Sequence, residues 1–237
     1  MDDNAPRSRP EETLADVLRA AIREGHILDK GRMPPERALA ERFGVSRARV
    51  RQALGLLQGD GTIFRRHGQG TFAAPPPATN VESLRSLARQ VTPRDVMEVR
   101  LEVEPALAAL AADRAQPQEV VLLDQLMRAT LDLTNMDAYE AADDLFHYKI
   151  AETARNPLFL TVYESIRAVR RNAAWTAQRR NTYSAQTLHL LGEQHKTLAD
   201  AISRRDSRGA AAAMEQHLLT VSNALLRDRV RKIELEI

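Results

Sequence analysis

Residues 34–72, PPERALAERFGVSRARVRQALGLLQGDGTIFRRHGQGTF, constrain the fold most. Leu39, Ala40 and Phe43 give a first helix one apolar face, and Pro35 sits near its start, where a missing N–H costs little. Gly44 ends that helix in a left-handed turn that glycine adopts cheaply. Ser46 is a good N-cap for a second helix, whose Val50, Ala53, Leu54 and Leu57 recur at three and four to make a buried face. Arg47, Arg49 and Arg51, with Gln52, occupy the other face. A short second helix after a tight turn, with exposed side chains at its N-terminal end, is the geometry that enters a DNA major groove.

The residues that follow predict a small wing. Gly59-Asp60-Gly61 reads as a turn and Thr62-Ile63-Phe64 as a β-prone run. Arg65-Arg66-His67-Gly68-Gln69-Gly70 reads as a basic glycine turn, with Thr71-Phe72 returning. This places Arg65, Arg66 and His67 at the tip. Charge supports the reading. From Lys30 to Phe72 there are nine Lys/Arg against three Asp/Glu, whereas from Pro75 onward there are 21 against 22. Positive charge is concentrated where phosphate binding needs it.

The rest of the chain reads as helical. Aromatics are only 4% of the 237 residues, and alanine and leucine are plentiful. Residues 1–10 read as a disordered tail and 11–74 as the winged helix-turn-helix, opening with a helix over 11–25. The triple proline 75–77 marks a linker, taken as 75–92. Residues 93–237 predict an antiparallel all-α bundle, with helices near 93–114, 117–132, 137–154, 158–179, 184–204 and 207–233. No cysteine is present, which excludes disulfides and thiolate metal sites. The absence of a signal peptide and of a long apolar run predicts a cytoplasmic protein with no membrane partner.

The bundle carries polar residues on faces that should be buried. Asp143 and His147 are four apart and share a face with Phe146 and Ile150 nearby. His195 sits in the stripe Leu188, Leu191, Leu198, Ile202, and His217 in the stripe Met214, Leu218, Val221, Leu225. Such histidines can be satisfied core residues. They can also be ligands, since neutral imidazole and carboxylate suit zinc, nickel or another divalent ion. Spacing leaves both readings open. Arg100 lies in the stripe Val96, Val103, Leu107, Leu110. It either pairs with Glu104 or anchors the carboxylate of a bound effector. The arginines around Trp175 (Arg167, Arg170, Arg171, Arg179 and Arg180) read as a solvated helix face.

Residues 11–74 resemble the winged helix of GntR-type bacterial transcription regulators. The matching pieces are Pro34-x-Glu36-Arg37, Leu39-Ala40, Gly44-Val45-Ser46-Arg47, Val50-Arg51-x-Ala53-Leu54 and Gly68-x-Gly70-Thr71. The resemblance implies that Arg37 meets phosphate, that Arg47, Arg49 and Arg51 lie at the groove, and that His67 and Gly68 reach the minor groove. Residues 94–227 resemble the helical FCD effector domain of the fatty-acid-regulator subfamily. The matching pieces are Glu98-x-Arg100, Glu104, Leu110-Ala111-Ala112, Asp143-x-x-Phe146-His147, Asn156-Pro157, Glu193-x-His195 and His217-Leu218. This resemblance implies a metal held by Asp143, His147, His195 and His217, and a small organic acid as effector.

The sequence therefore predicts a homodimeric, metal-dependent regulator, most simply a repressor, on a palindromic double-stranded operator. The alternative is a metal-dependent hydrolase built on a helical bundle and fused to a DNA-binding domain. Helical phosphohydrolases of that kind usually carry an adjacent His-Asp pair, which this chain lacks. Asp144 and Glu193, the nearest spare carboxylates, should point away from the ligand face.

Overall fold

The computed structural model describes residues 13–66, 70–73, 81–132, 136–171 and 182–235. The chain divides into two compact units, Met1–Pro76 and Pro77–Ile237. The tail 1–10, the wing residues His67 and Gly68, the prolines 75–77, and Trp175 with Arg179 and Arg180 lie outside the described residues.

In the first unit, α1 (Leu14–Arg23) opens with a capping box. The Thr13 hydroxyl accepts from the Asp16 N–H, and the Asp16 carboxylate accepts from the Thr13 N–H. Helix α2 (Glu36–Phe43) ends at Gly44, with φ +62°. Helix α3 (Arg47–Gly59) starts from Ser46, whose hydroxyl accepts from the Arg49 N–H at 3.3 Å. Leu18, Leu39, Val50, Leu54, Leu57 and Ile63 form the centre of this unit's core. Each such side chain contributes about 1.5–3 kcal/mol when fully buried.

The wing is a two-stranded antiparallel ribbon, β1 (Phe64–Arg66) and β2 (Gly70–Phe72). It starts two residues later than the sequence predicted. The Ile63 N–H is spent on the Leu57 carbonyl at the end of α3, so pairing begins at Phe64 opposite Phe72. Arg65 and Arg66 consequently belong to a strand, facing Thr71 and Gly70, and not to the tip. A second difference is the segment 29–33, which the sequence reading left unassigned. Its Met33 N–H donates to Thr71 O at 2.8 Å, and Gly31 O accepts from the Ala73 N–H at 3.0 Å. Gly70 has φ +113°, and a Cβ there would stand 2.8 Å from Arg32 Nε.

Among its described residues the second unit is built of helices and contains no strand. Helix α4 (Val81–Ala88) lies inside the stretch expected to be linker. Val81, Leu84, Leu87 and Ala88 recur at three and four, α4 packs on α8, and Ala88 and Val91 meet the core. Helix α5 (Pro93–Arg114) begins with Thr92 and Asp95 in a capping box and with Pro93 in the first turn. It is followed by α6 (Pro117–Ala129), α7 (Met136–Thr153), α8 (Pro157–Arg170), α9 (Ala185–Ser203) and α10 (Ser207–Leu235). Helices α9 and α10, joined by three residues, pack along each other and are antiparallel. Helix α5 packs mainly on α10, and also on α7, α8 and α9. Helices α5 and α6 share only a two-residue link, yet α6 lies on α7 and α9 instead. The extended backbone of buried Ala115 (ψ 133°) turns the chain away at that point. Phe146, Ile150, Leu198, Met214 and Leu218 fill the core between these helices. No helix among the described residues is long and apolar enough to cross a membrane.

Candidate functional site

The outer face of α3 carries Arg47, Arg49 and Arg51, all exposed. They do not act as one row. Arg51 donates from Nη2 and Nε to Glu36 Oε2 at 3.1 and 3.3 Å, and Arg65 Nη2 lies 3.7 Å from Glu36 Oε1. The hydrogen bond from Arg51 holds the Glu36 carboxyl below its ordinary range, and the charges of Arg65 and Arg47 act the same way. Glu36 therefore aims helix and wing arginines from one carboxylate, a role the sequence reading did not assign. Arg49 lies on the other flank of α3, with Gln52 and Leu56, beside Thr13, Leu14 and Ala15 at the start of α1. Arg37 is exposed, with Glu41 one turn on at 3.7 Å.

In the second unit four buried side chains converge. Asp143, His147, His195 and His217 each offer one ligand atom, and these atoms all lie within 4.8 Å of one another. His195 Nε2 is 3.4 Å from His147 Nε2 and 3.4 Å from Asp143 Oδ1, and His147 Nε2 is 3.7 Å from Asp143 Oδ1. The His217 ring centroid is 4.5 Å from that of His195 and 5.0 Å from that of His147.

The outer ring nitrogens settle which atoms face the centre. His147 Nδ1 is 3.0 Å from Glu104 Oε2. An ionised carboxylate only accepts, so Nδ1 carries the proton. His195 Nδ1 is 3.0 Å from Thr130 Oγ1, whose own hydrogen goes to the Met127 carbonyl at 2.7 Å. The Thr130 oxygen thus accepts, and His195 Nδ1 donates. Both Nε2 lone pairs then point at each other and at Asp143 Oδ1. Acceptors facing acceptors at this distance repel, and a cation between them converts the repulsion into ligation. His217 Nδ1 is buried with no hydrogen-bond partner among the described residues.

Electrostatics fit the same picture. Burial opposes ionisation of Glu104, but the Arg100 guanidinium and His147 outweigh it and hold Glu104 far below the carboxylate range. Burial likewise opposes ionisation of Asp143; Arg170 supports its charge from the Oδ2 side, and with the imidazoles neutral the Oδ1 side is left for a cation. Burial lowers His195 and, more strongly, His217, so both imidazoles are neutral and able to ligate.

Arg100 is buried, but its guanidinium is engaged: Nε and Nη2 reach Glu104 at 2.5 and 3.3 Å, and Nη1 lies 3.7 Å from Met97 Sδ. It touches the centre through Glu104 and His147. The solvated arginine face expected near residue 170 is corrected for two of its members, while Arg171 is exposed as expected. Arg167 and Arg170 are buried, because Tyr163, Ile166, Arg167 and Arg170 recur at three and four on the inward side of α8. Asp144 pairs with Arg167 and Glu193 is exposed, so neither joins the four ligating groups. Thr130 and the Glu104–His147 contact were missed. Only the spacing of Arg100 and Glu104 on one face hinted at the latter.

Comparison with known proteins gives the same two parts. Residues 10–73 match the model of the bacterial regulatory proteins of the gntR family, and residues 95–220 match the FCD domain. A protein of Escherichia coli (strain K12), named as a candidate L-lactate dehydrogenase operon regulatory protein, is 32% identical over 229 residues, 94% of this chain and 88% of that protein. The HTH-type transcriptional repressor NanR of the same organism is 29% identical over 233 residues, 91% of this chain and 86% of that protein. Among solved structures, E. coli McbR/YncC shares the fold with a TM-score of 0.52 at 20% identity, covering 91% of this chain and 96% of that one. These relatives are transcription regulators and not enzymes. With its arginine-bearing winged helix-turn-helix and its helical second unit, the chain belongs to the gntR family of bacterial regulatory proteins, as a DNA-binding transcription regulator with an FCD domain.

Proposed function

We propose that the protein is a homodimeric, metal-dependent repressor whose affinity for a palindromic operator falls when a small organic acid binds the second unit. Residues 11–74 serve as the DNA-binding domain, and the second unit, with α4 docked on α8, serves as the effector-binding and dimerisation domain. Asp143, His147, His195 and His217 hold a divalent ion, zinc first and nickel next. When bound, the ion supplies a Lewis-acidic positive centre for a carboxylate oxygen. The observation that carries this reading is the pair of histidines whose Nδ1 protons are spent on Glu104 and Thr130, which leaves two Nε2 lone pairs facing Asp143. Outer partners that fix a ligand's tautomer are what metal-binding histidines require. A cavity of about 10 Å³ adjoins the group, lined by Arg100, Tyr139, Asp143, Arg170 and His217 among others. It has room for about one water, so an effector opens it further. The relative named for an L-lactate dehydrogenase operon supports a hydroxy acid as effector, and NanR, named a repressor, supports the sign of regulation.

At the DNA, Arg37, Arg47, Arg51 and Arg65 approach the duplex from α2, α3 and the wing, Arg49 adds the far flank of α3, and His67 and Gly68 belong to the wing turn. Two recognition helices in a dimer read a two-fold site. Protein purified without chelator is expected to contain about one divalent ion per chain, the occupancy of a single centre. His195→Ala with His217→Ala abolishes it and lowers the melting temperature of the second unit. Elemental analysis finding no metal in the wild-type protein overturns the metal reading. Footprinting of an asymmetric half-site by a monomer overturns the dimer.

A further inference from the structure

Among the described residues, three arginines are buried around the Asp/His centre, and they are not equally partnered. Arg100 chelates Glu104 at 2.5 and 3.3 Å. Arg167 holds both oxygens of Asp144, with Nε at 2.9 and 3.0 Å and Nη2 at 2.5 Å, and its guanidinium lies 5.2 Å from the Tyr148 ring centroid. Arg170, only 4% exposed, has one long contact, Nη2 to Asp143 Oδ2 at 3.4 Å. Its Nε and Nη1 are buried and have no hydrogen-bond partner among the described residues. Three N–H groups of a buried cation are thereby without an acceptor. Burying a charge without hydrogen bonds is costly, and a guanidinium left in that state has N–H groups to spare for an acceptor.

Arg170 also lines the cavity beside the four converging side chains, together with Asp143 and His217. Asp143 stands between the two: Oδ1 faces His147 and His195, and Oδ2 faces Arg170. A divalent ion taken up on the Oδ1 side adds two positive charges next to a guanidinium whose Nε and Nη1 have no acceptor among the described residues. Among the described residues the other acids are committed: buried Glu104 to Arg100 and His147, half-buried Asp144 to Arg167, and buried Glu164 to the Tyr148 hydroxyl. Glu140, half-buried, also lines the cavity. A planar carboxylate fits the unmet requirement, because a guanidinium binds it through parallel, charge-assisted N–H bonds.

We infer that Arg170 is the residue that binds the carboxylate of the effector, and that Arg100 acts only as a positioning residue through Glu104. The inference rests on the effector reading above and specifies its contact. It makes the ligand a carboxylate anion: the corresponding primary amide, equal in shape and without charge, does not replace it.

The test uses the full-length, zinc-loaded protein. L-lactate and D-gluconate are titrated against L-lactamide and D-gluconamide by calorimetry, in wild type, Arg170→Lys and Arg170→Gln. Zinc affinity is measured in parallel by indicator competition. Wild type is expected to bind a carboxylate and reject its amide. Arg170→Gln is expected to lose about 10- to 100-fold of carboxylate affinity, the value of a charge-assisted hydrogen bond, and with it the preference over the amide. Arg170→Lys keeps the charge without the planar fork and falls between the two. Zinc affinity in the lysine variant stays near wild type, which separates a lost contact from a lost fold. Carboxylate affinity unchanged in both variants, with zinc bound, overturns the assignment of Arg170 and leaves the effector reading standing. A wild-type protein that binds zinc and neither carboxylate overturns the effector reading itself.

Discussion

Replacing Glu104 separates its two roles. Its carboxylate neutralises Arg100 and accepts from His147 Nδ1, with both partners buried. Glu104→Leu leaves the Arg100 guanidinium uncompensated, a loss of about 3–5 kcal/mol for a broken buried pair. For a chain of this size that is a fall of roughly 6–20 °C in melting temperature. Glu104→Leu with Arg100→Met removes both charges and fills similar volume beside Met97. Exchanges of whole buried ion pairs for apolar residues are often neutral or stabilising, so the double variant should regain most of the lost stability. Metal affinity should not follow. Without an acceptor, His147 Nδ1 no longer fixes the tautomer that turns Nε2 toward Asp143. Loss of such an outer partner costs about 10–100-fold in metal affinity. Urea or thermal unfolding of the metal-free protein measures the first effect, and zinc competition against a chromogenic chelator measures the second. If the double variant binds zinc as wild type does, the Glu104–His147 contact does not orient a ligand. If Glu104→Leu alone unfolds where wild type does, Arg100 does not depend on it.

At the DNA face, Arg51→Ala should cost about 1–3 kcal/mol for the preferred operator, the value of a bidentate base contact. Arg65→Ala should weaken all sequences more evenly, as loss of a backbone contact does; gel-shift titrations on operator and scrambled duplexes distinguish the two. In the first unit, Asp60 accepts from the Thr62 N–H at 3.0 Å and from Arg19 at 2.5 Å. Burial opposes its ionisation, and the Thr62 hydroxyl and Arg19 outweigh burial and lower its pKa. A depressed carboxyl contributes stability that is present above its unfolded value, near about 3.9, and that is lost as pH falls below it. Asp60→Ala should therefore cost about 1 kcal/mol near neutrality and much less at the acid end, read by urea unfolding across pH. Gly44→Ala, at φ +62°, should cost about 1–2 kcal/mol from the left-handed conformation alone, and the same unfolding assay reports it.

The sequence by itself determined the local structure. Gly44, Ser46 and the 50, 53, 54, 57 spacing specify the helix-turn-helix, and Thr92 with Asp95, Asn156 and Ser184 specify where helices of the second unit begin. Those signals work between residues a few positions apart, where backbone geometry alone brings the groups together. The inward placement of Asp143, His147, His195 and His217 was legible for the same reason, since helical periodicity puts each on a buried face. Tertiary structure decided what each polar group meets. Glu104 and His147 are 43 residues apart, and Thr130 and His195 are 65 apart, so no period connects them. Arg100 reads as an inward arginine and Arg170 as a solvated one, and only packing shows that both are buried, Arg100 chelating Glu104 and Arg170 with a single long contact to Asp143. The ladder of 29–33 onto the wing and the docking of α4 on α8 are of the same kind: backbone bonds and apolar faces whose partners come from distant chain.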